Sequence, residues 1–116
     1  MAQKLVVFTF SHPPYGSIWY TEGLRAVVGV TAGIDEHKVN VVYMGDGVHF
    51  ALNGVDRSDT AKYLGTLAQL GYKLNVERES LQARDIPESE VAPDVEVIPR
   101  SQVLSLIRDA DATIDF

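Results

Sequence analysis

The sequence predicts a three-layer α/β/α domain with a mainly parallel sheet of about five strands, covering residues 1–116 as a single domain. Three observations carry that expectation. Apolar, β-branched runs alternate with helical periodicities, the connections between them are short, and the runs at 5–8 and 39–44 are almost continuously apolar. Strands alternating with helices through short connections form βαβ units, and right-handed crossovers then make a parallel sheet with helices on its faces. A strand covered on both faces needs no polar side, which accounts for the two nearly continuous runs.

Residues 4–10 form the first strand and meet a turn cluster at 11–17 that holds Pro13, Pro14 and Gly16. A helix is predicted over 18–34, with Trp19, Leu24, Val27, Val28 and Val30 apolar, Glu22 and Arg25 on the wetter face, and Gly33 as a stop. The second strand spans 38–44, and the loop 45–54 follows it. Asp56 or Ser58 can cap a helix running to Gln69 or Leu70, with Leu64, Leu67, Ala68 and Leu70 as its apolar stripe and Gly71 as its end. A third strand over 72–76 precedes the most charged segment, 77–90, read as a loop with a helical turn or two. A fourth strand over 95–98, a helix over 99–109 with Leu104, Ile107 and Val103 facing inward, and a last strand over 112–116 complete the series.

Composition excludes several functions. A chain of 116 residues with 46% apolar and 22% charged residues can bury a core without metal or disulfide staples. The net charge is −6 and the ten Lys and Arg are scattered, so direct nucleic-acid binding is not expected. No run approaches the roughly 18–20 apolar residues that span a bilayer. The opening MAQKLVVFTF leads into Ser-His-Pro-Pro-Tyr and not into a small-residue cleavage site, so it reads as a strand. A cytoplasmic protein without a membrane partner is the expectation. There is no cysteine, which excludes disulfides, thiolate metal sites, cysteine nucleophiles and persulfide carriage by this chain.

In a parallel sheet, ligands meet the loops at the carboxyl ends of the strands, here 11–17, 45–54 and 77–90. The first loop precedes a helix N-terminus, a place that favours anions. It has one glycine, lacks GxGxxG, and its prolines remove amide donors, so a rigid turn is the better reading. His12 and His49 with Asp46 could resemble a metal or acid/base set, yet no pair has the tight spacing of HExxH, and neither metal nor cofactor is expected. His37 belongs to the opposite end of the sheet, where solvation is expected. The stretch MGDGVHFAL at 44–52 has a structural explanation: glycine permits positive φ and close approach, while Asp46 accepts from nearby amides. Trp19, Tyr20 and Phe50, with Tyr15 and Tyr43 nearby, form an aromatic group suited to core or interface, and the first three are the interface candidates.

Three stretches in order, VVFTFSHPPYGSIWYTEGLRAVV at 6–28, VNVVYMGDGVHFAL at 39–52 and LNVERESLQARDI at 74–86, resemble the DsrE/DsrF-like sulfur-relay family, most closely its DsrF/TusC-type subunits. The resemblance implies a three-layer α/β domain that forms homo- or hetero-oligomers with itself or with related subunits. In the best-known members three related subunits form a two-fold-repeated hexamer, and one type carries sulfur as a cysteine persulfide just after the third strand. That position falls here on Glu77, beside Arg78. A carboxylate cannot hold a sulfane sulfur, because the chemistry needs a polarizable thiolate. The resemblance therefore implies a non-catalytic member, not a sulfurtransferase by itself, with a cleft lined by His12, Tyr15, Asp46, His49, Glu77 and Arg78. Asp85 stands where the family pattern often has glycine, so altered loop geometry is expected there. The alternative is a small-molecule or metal-binding α/β protein using His12, Asp46, His49 and Glu77 at the same edge.

Overall fold

A computed structural model describes residues 3–13, 18–32 and 37–116. Its five strands are β1 (Leu5–Phe10), β2 (Lys38–Tyr43), β3 (Leu74–Glu77), β4 (Val95–Ile98) and β5 (Ala112–Asp115). They pair in parallel in the order β4-β3-β2-β1-β5. Four helices intervene: α1 (Trp19–Thr31), α2 (Ala61–Gln69), the short α3 (Arg78–Ala83) and α4 (Arg100–Asp109). The first three crossovers step the chain one way across the sheet, and the fourth returns it past β1. Right-handed crossovers of opposite sense lie on opposite faces. Accordingly α1, α2 and α3 share one face, while α4 lies on the other.

The two faces differ in content. Val6, Phe8, Phe10, Val39, Val41, Tyr43, Leu74 and Val76 point into the larger core, where they meet Tyr20, Leu24 and Val27 of α1, Leu67 of α2 and Leu81 of α3. Under α4 the core is small: Val7, Val42, Ile98 and Val103, with Leu106, Ile107 and Ala110 packed against it. The intervening positions on that face include Thr9, Asn40, Asn75, Glu77 and Glu96.

Several boundaries and stripes depart from the sequence reading. Along α1 the buried residues are Tyr20, Gly23, Leu24, Val27 and Thr31, one face at helical spacing, and the expected stop at Gly33 lies outside the described residues. Along α2 only Leu67 is fully buried. Leu70 and Ala68 are exposed, because the chain leaves the helix there and turns through Gly71 at φ +82. Along α4 the anchor is Val103, with Leu106 and Ile107 behind it, while Leu104 is 58% exposed. The third strand begins later than predicted and takes in Glu77, whose register partner is Ile98 on β4. The segment at 45–54 is not an open loop, since Gly45–Ala51 winds into a 3-10 helix.

Candidate functional site

The loops after β2 and β3 meet at the carboxyl edge. Gly45 opens the first with φ +55, a conformation that costs an L side chain strain and glycine nothing. Two residues on, a Cβ at Gly47 would lie 1.8 Å from the Phe10 carbonyl oxygen, so only glycine lets this turn press against β1. The same Phe10 oxygen accepts from the Met44 amide at 3.0 Å. Val48, Phe50 and Ala51 then turn inward.

Asp46 does not fix its own turn. Its Oδ1 accepts from Arg84 Nε at 3.2 Å and Arg84 Nη2 at 2.9 Å, across from the end of α3. Arg84 also donates from Nη1 to the Ser80 carbonyl at 3.1 Å, and the Gly45 amide donates to Ser80 Oγ at 3.0 Å. The glycine-flanked loop is thus clasped to α3 at two points.

Beneath the clasp lies Glu77, 1% exposed at the junction of β3 and α3. Its Oε1 accepts from Ser80 Oγ at 2.5 Å and Arg100 Nη2 at 3.0 Å, and its Oε2 accepts from Arg100 Nε at 3.3 Å. Burial alone would favour the neutral acid. The hydrogen bonds from Arg100 and Ser80 and the charges of Arg100 and Arg84 outweigh it and hold the carboxyl below its ordinary range. Arg100 in turn opens α4, where its amide donates to Glu79 Oε1 at 2.8 Å. One carboxylate therefore joins β3, α3 and α4.

The remaining sequence candidates are dispersed. Arg78 points away from Glu77 and pairs with Glu88 at 3.0 Å on the surface. His12 is exposed and stacks on Trp19 with ring centroids 5.3 Å apart. His49 is half-buried in the 3-10 helix. Tyr15 lies outside the described residues. No group of three His, Asp or Glu residues able to hold a metal occurs among the described residues. His37 is not simply solvated, because its Nδ1 accepts from the Lys4 amide at 3.1 Å.

Of the three interface candidates, Trp19 is 47% exposed, whereas Tyr20 and Phe50 are buried. Their rings stack at 3.7 Å, and Tyr20 and Tyr43 share a hydroxyl–hydroxyl bond of 2.9 Å. Burial drives the Tyr43 hydroxyl well above its usual pKa, and the neighbouring Tyr20 adds to the shift. Sequence reasoning did not single out Ser80, Arg84 or Arg100. The one local signal was Ser80, three residues past Glu77 and hence on the same side of a helical turn.

The model of the DsrE/DsrF-like family matches residues 4–116. A protein named TusC homolog, from Pasteurella multocida strain Pm70, is 27% identical over 117 residues, covering 96% of this chain and 98% of the relative. Among solved structures, the ychN protein of E. coli superposes with a TM-score of 0.80 at 20% identity, over 98% of this chain and 99% of that one. MTH1491 from Methanobacterium thermoautotrophicum, a protein of unknown function, gives 0.79 at 15% identity, over 98% and 100%. At those identities the two structures speak for the shared fold alone.

Proposed function

The chain belongs to the DsrE/DsrF-like family, and we propose that it serves intracellular sulfur relay as a cysteine-free, non-catalytic subunit that assembles with itself or with cysteine-bearing relatives. Glu77 is the observation that carries this reading. It occupies the position that the resemblance assigns to the sulfur-carrying cysteine, and no cysteine elsewhere in the sequence can replace it. A sulfur acceptor must be a nucleophilic thiolate open to its donor. Glu77 is a carboxylate, is buried, and already accepts hydrogen bonds from Ser80 and Arg100.

The role left to such a subunit is contact. Trp19, with Ile18 exposed beside it, supplies apolar surface close to the carboxyl edge, and aromatic residues are favoured in interfaces. No helix among the described residues is long and apolar enough to cross a membrane, and the cytoplasm is the proposed setting.

Native mass spectrometry of the protein purified from its own cells tests the proposal. A homo-oligomer, or a complex with a related cysteine-containing subunit, is expected, with Trp19→Ala weakening the assembly. Incubation with a persulfide donor should leave this chain without sulfane sulfur. A clean monomer whose melting temperature rises with a metal ion or a nucleotide would overturn the proposal in favour of a ligand-binding role.

A further inference from the structure

Helix α4 runs diagonally across its face, from the carboxyl end of β4 to the amino end of β5. Among the described residues it leaves open the corner where β2, β3 and β4 begin. A cavity of about 280 Å³ opens there, bounded by Asn40 on β2, Asn75 on β3, Glu96 on β4 and Gln102 and Leu106 on α4. Parallel strands covered on both faces are ordinarily apolar throughout. Here the same face that presents Val42 and Ile98 to α4 presents two carboxamides and a carboxylate to the cavity.

The donors and acceptors are not balanced. Asn75 is only 7% exposed. Its Nδ2 donates to the Val41 carbonyl at 3.1 Å, and because a carbonyl can only accept, that bond settles which end of the amide is which. Asn75 Oδ1 is thereby turned the other way, open to solvent, and takes no donor from the described residues. Glu96 is the register partner of Asn75 on the neighbouring strand. It is exposed and forms no ion pair among the described residues. The acceptors facing this space are Asn75 Oδ1, which the bond to Val41 orients, and the exposed Glu96 carboxylate, while the amides of Asn40 and Gln102 can rotate to suit an occupant.

We propose that this cavity binds a cationic group rich in N–H donors, an alkylammonium or a guanidinium, between Asn75 Oδ1 and the Glu96 carboxylate. The volume admits such a head group with a short chain. Lys73 also borders the cavity and makes no ion pair among the described residues. Its ammonium opposes the incoming charge and competes for Glu96, so it tunes the affinity downward. This site lies at the end of the sheet opposite Glu77 and does not depend on the sulfur-relay reading.

The test titrates two probes into the isotope-labelled full chain, followed by NMR. Agmatine represents a free cation, and acetyl-Gly-Arg-Gly-amide represents the side chain of a protein partner. Saturable shifts of the Asn75 and Gln102 side-chain amides are expected. Glu96→Gln should weaken binding about tenfold, the scale of one charge-assisted hydrogen bond, and Lys73→Gln should strengthen it. Asn75→Leu should abolish binding; it also removes the bond to Val41, so the exposed Glu96 and Lys73 variants keep the test valid if that variant fails to fold. Saturation by agmatine alone identifies a free amine or guanidine as the source, and saturation by the peptide alone identifies a partner's side chain. Absence of saturable shifts with both probes, or affinity unchanged in Glu96→Gln, overturns the proposal.

Discussion

The loops after β2 and β3 lie side by side at the carboxyl edge and are held in place by different physics. The first is held mainly by shape. Gly45 and Gly47 let the backbone fold tightly against β1, and Val48, Phe50 and Ala51 fill the core beneath. The second is held by charge. Glu77 collects Ser80 and Arg100, Arg84 reaches across to Asp46, and Arg78 pairs with Glu88. Packing tolerates no displacement of a carbonyl by a methyl group, whereas ion pairs respond to pH and salt. The two loops meet at the Asp46–Arg84 pair and the Gly45–Ser80 bond, so an edge that looks uniformly polar in sequence has one side set mainly by packing and one set mainly by charge.

The largest effect should come from Gly47→Ala. The added methyl would collide with the Phe10 backbone, and relief requires the whole 3-10 turn to move, at a cost of about 3 kcal/mol. Urea unfolding should show that loss unchanged between low and high salt. A salt-dependent loss would erase the distinction between the loops.

Glu77→Gln should cost about 2 kcal/mol at neutral pH, since an amide cannot accept from Ser80 and Arg100 as a carboxylate does. Arg100 is 56% exposed by its side chain and can turn to water, which keeps the loss below that of a fully buried broken pair. The sign of the pH effect follows from the lowered pKa of Glu77 in the fold. Its stabilisation is present above the ordinary carboxylate range and is lost as pH falls through the depressed folded value. Unfolding midpoints of wild type and Glu77→Gln should accordingly converge on acidification. Parallel curves would mean that Glu77 contributes packing and no charge.

The smallest effect belongs to Asp85, which follows α3 with φ +54 and is the non-glycine residue with positive φ among those described. The turn takes a conformation that glycine adopts without strain, so the aspartate strains it and does not abolish it. Asp85→Gly should stabilise by about 0.5 kcal/mol, the relief of left-handed strain being partly offset by the freer unfolded chain. A melting temperature that falls in this variant would show that the carboxylate contributes more than its backbone conformation costs.

The legible part of this fold was its periodicity. Leu24 and Val27 on α1, and Leu67 on α2, could be placed in the core because each recurs at helical spacing among apolar neighbours. On α4 two stripes compete, one through Leu104 and Ile107 and one through Val103 and Ile107. Only the angle at which the helix lies on the sheet selects Val103. The site was harder to read. Asp46 and Glu77 were recognised as worth attention, but their partners, Arg84 and Arg100, lie 38 and 23 residues away. No local pattern connects positions so far apart, and the adjacent cation, Arg78, pairs with Glu88 instead.

By itself the sequence determined the alternation of strands and helices, and hence a parallel sheet, because residue spacing is a local property that each element expresses alone. It also settled, by the absence of cysteine, that this chain cannot carry sulfur as a persulfide. The tertiary structure decided which charges meet, which aromatic residues face solvent, and that the face under α4 keeps a polar corner. Those outcomes depend on where separate elements come to rest against one another. MGDGVHFAL could announce a tight turn, while the arginine that clasps it stands just past the end of α3.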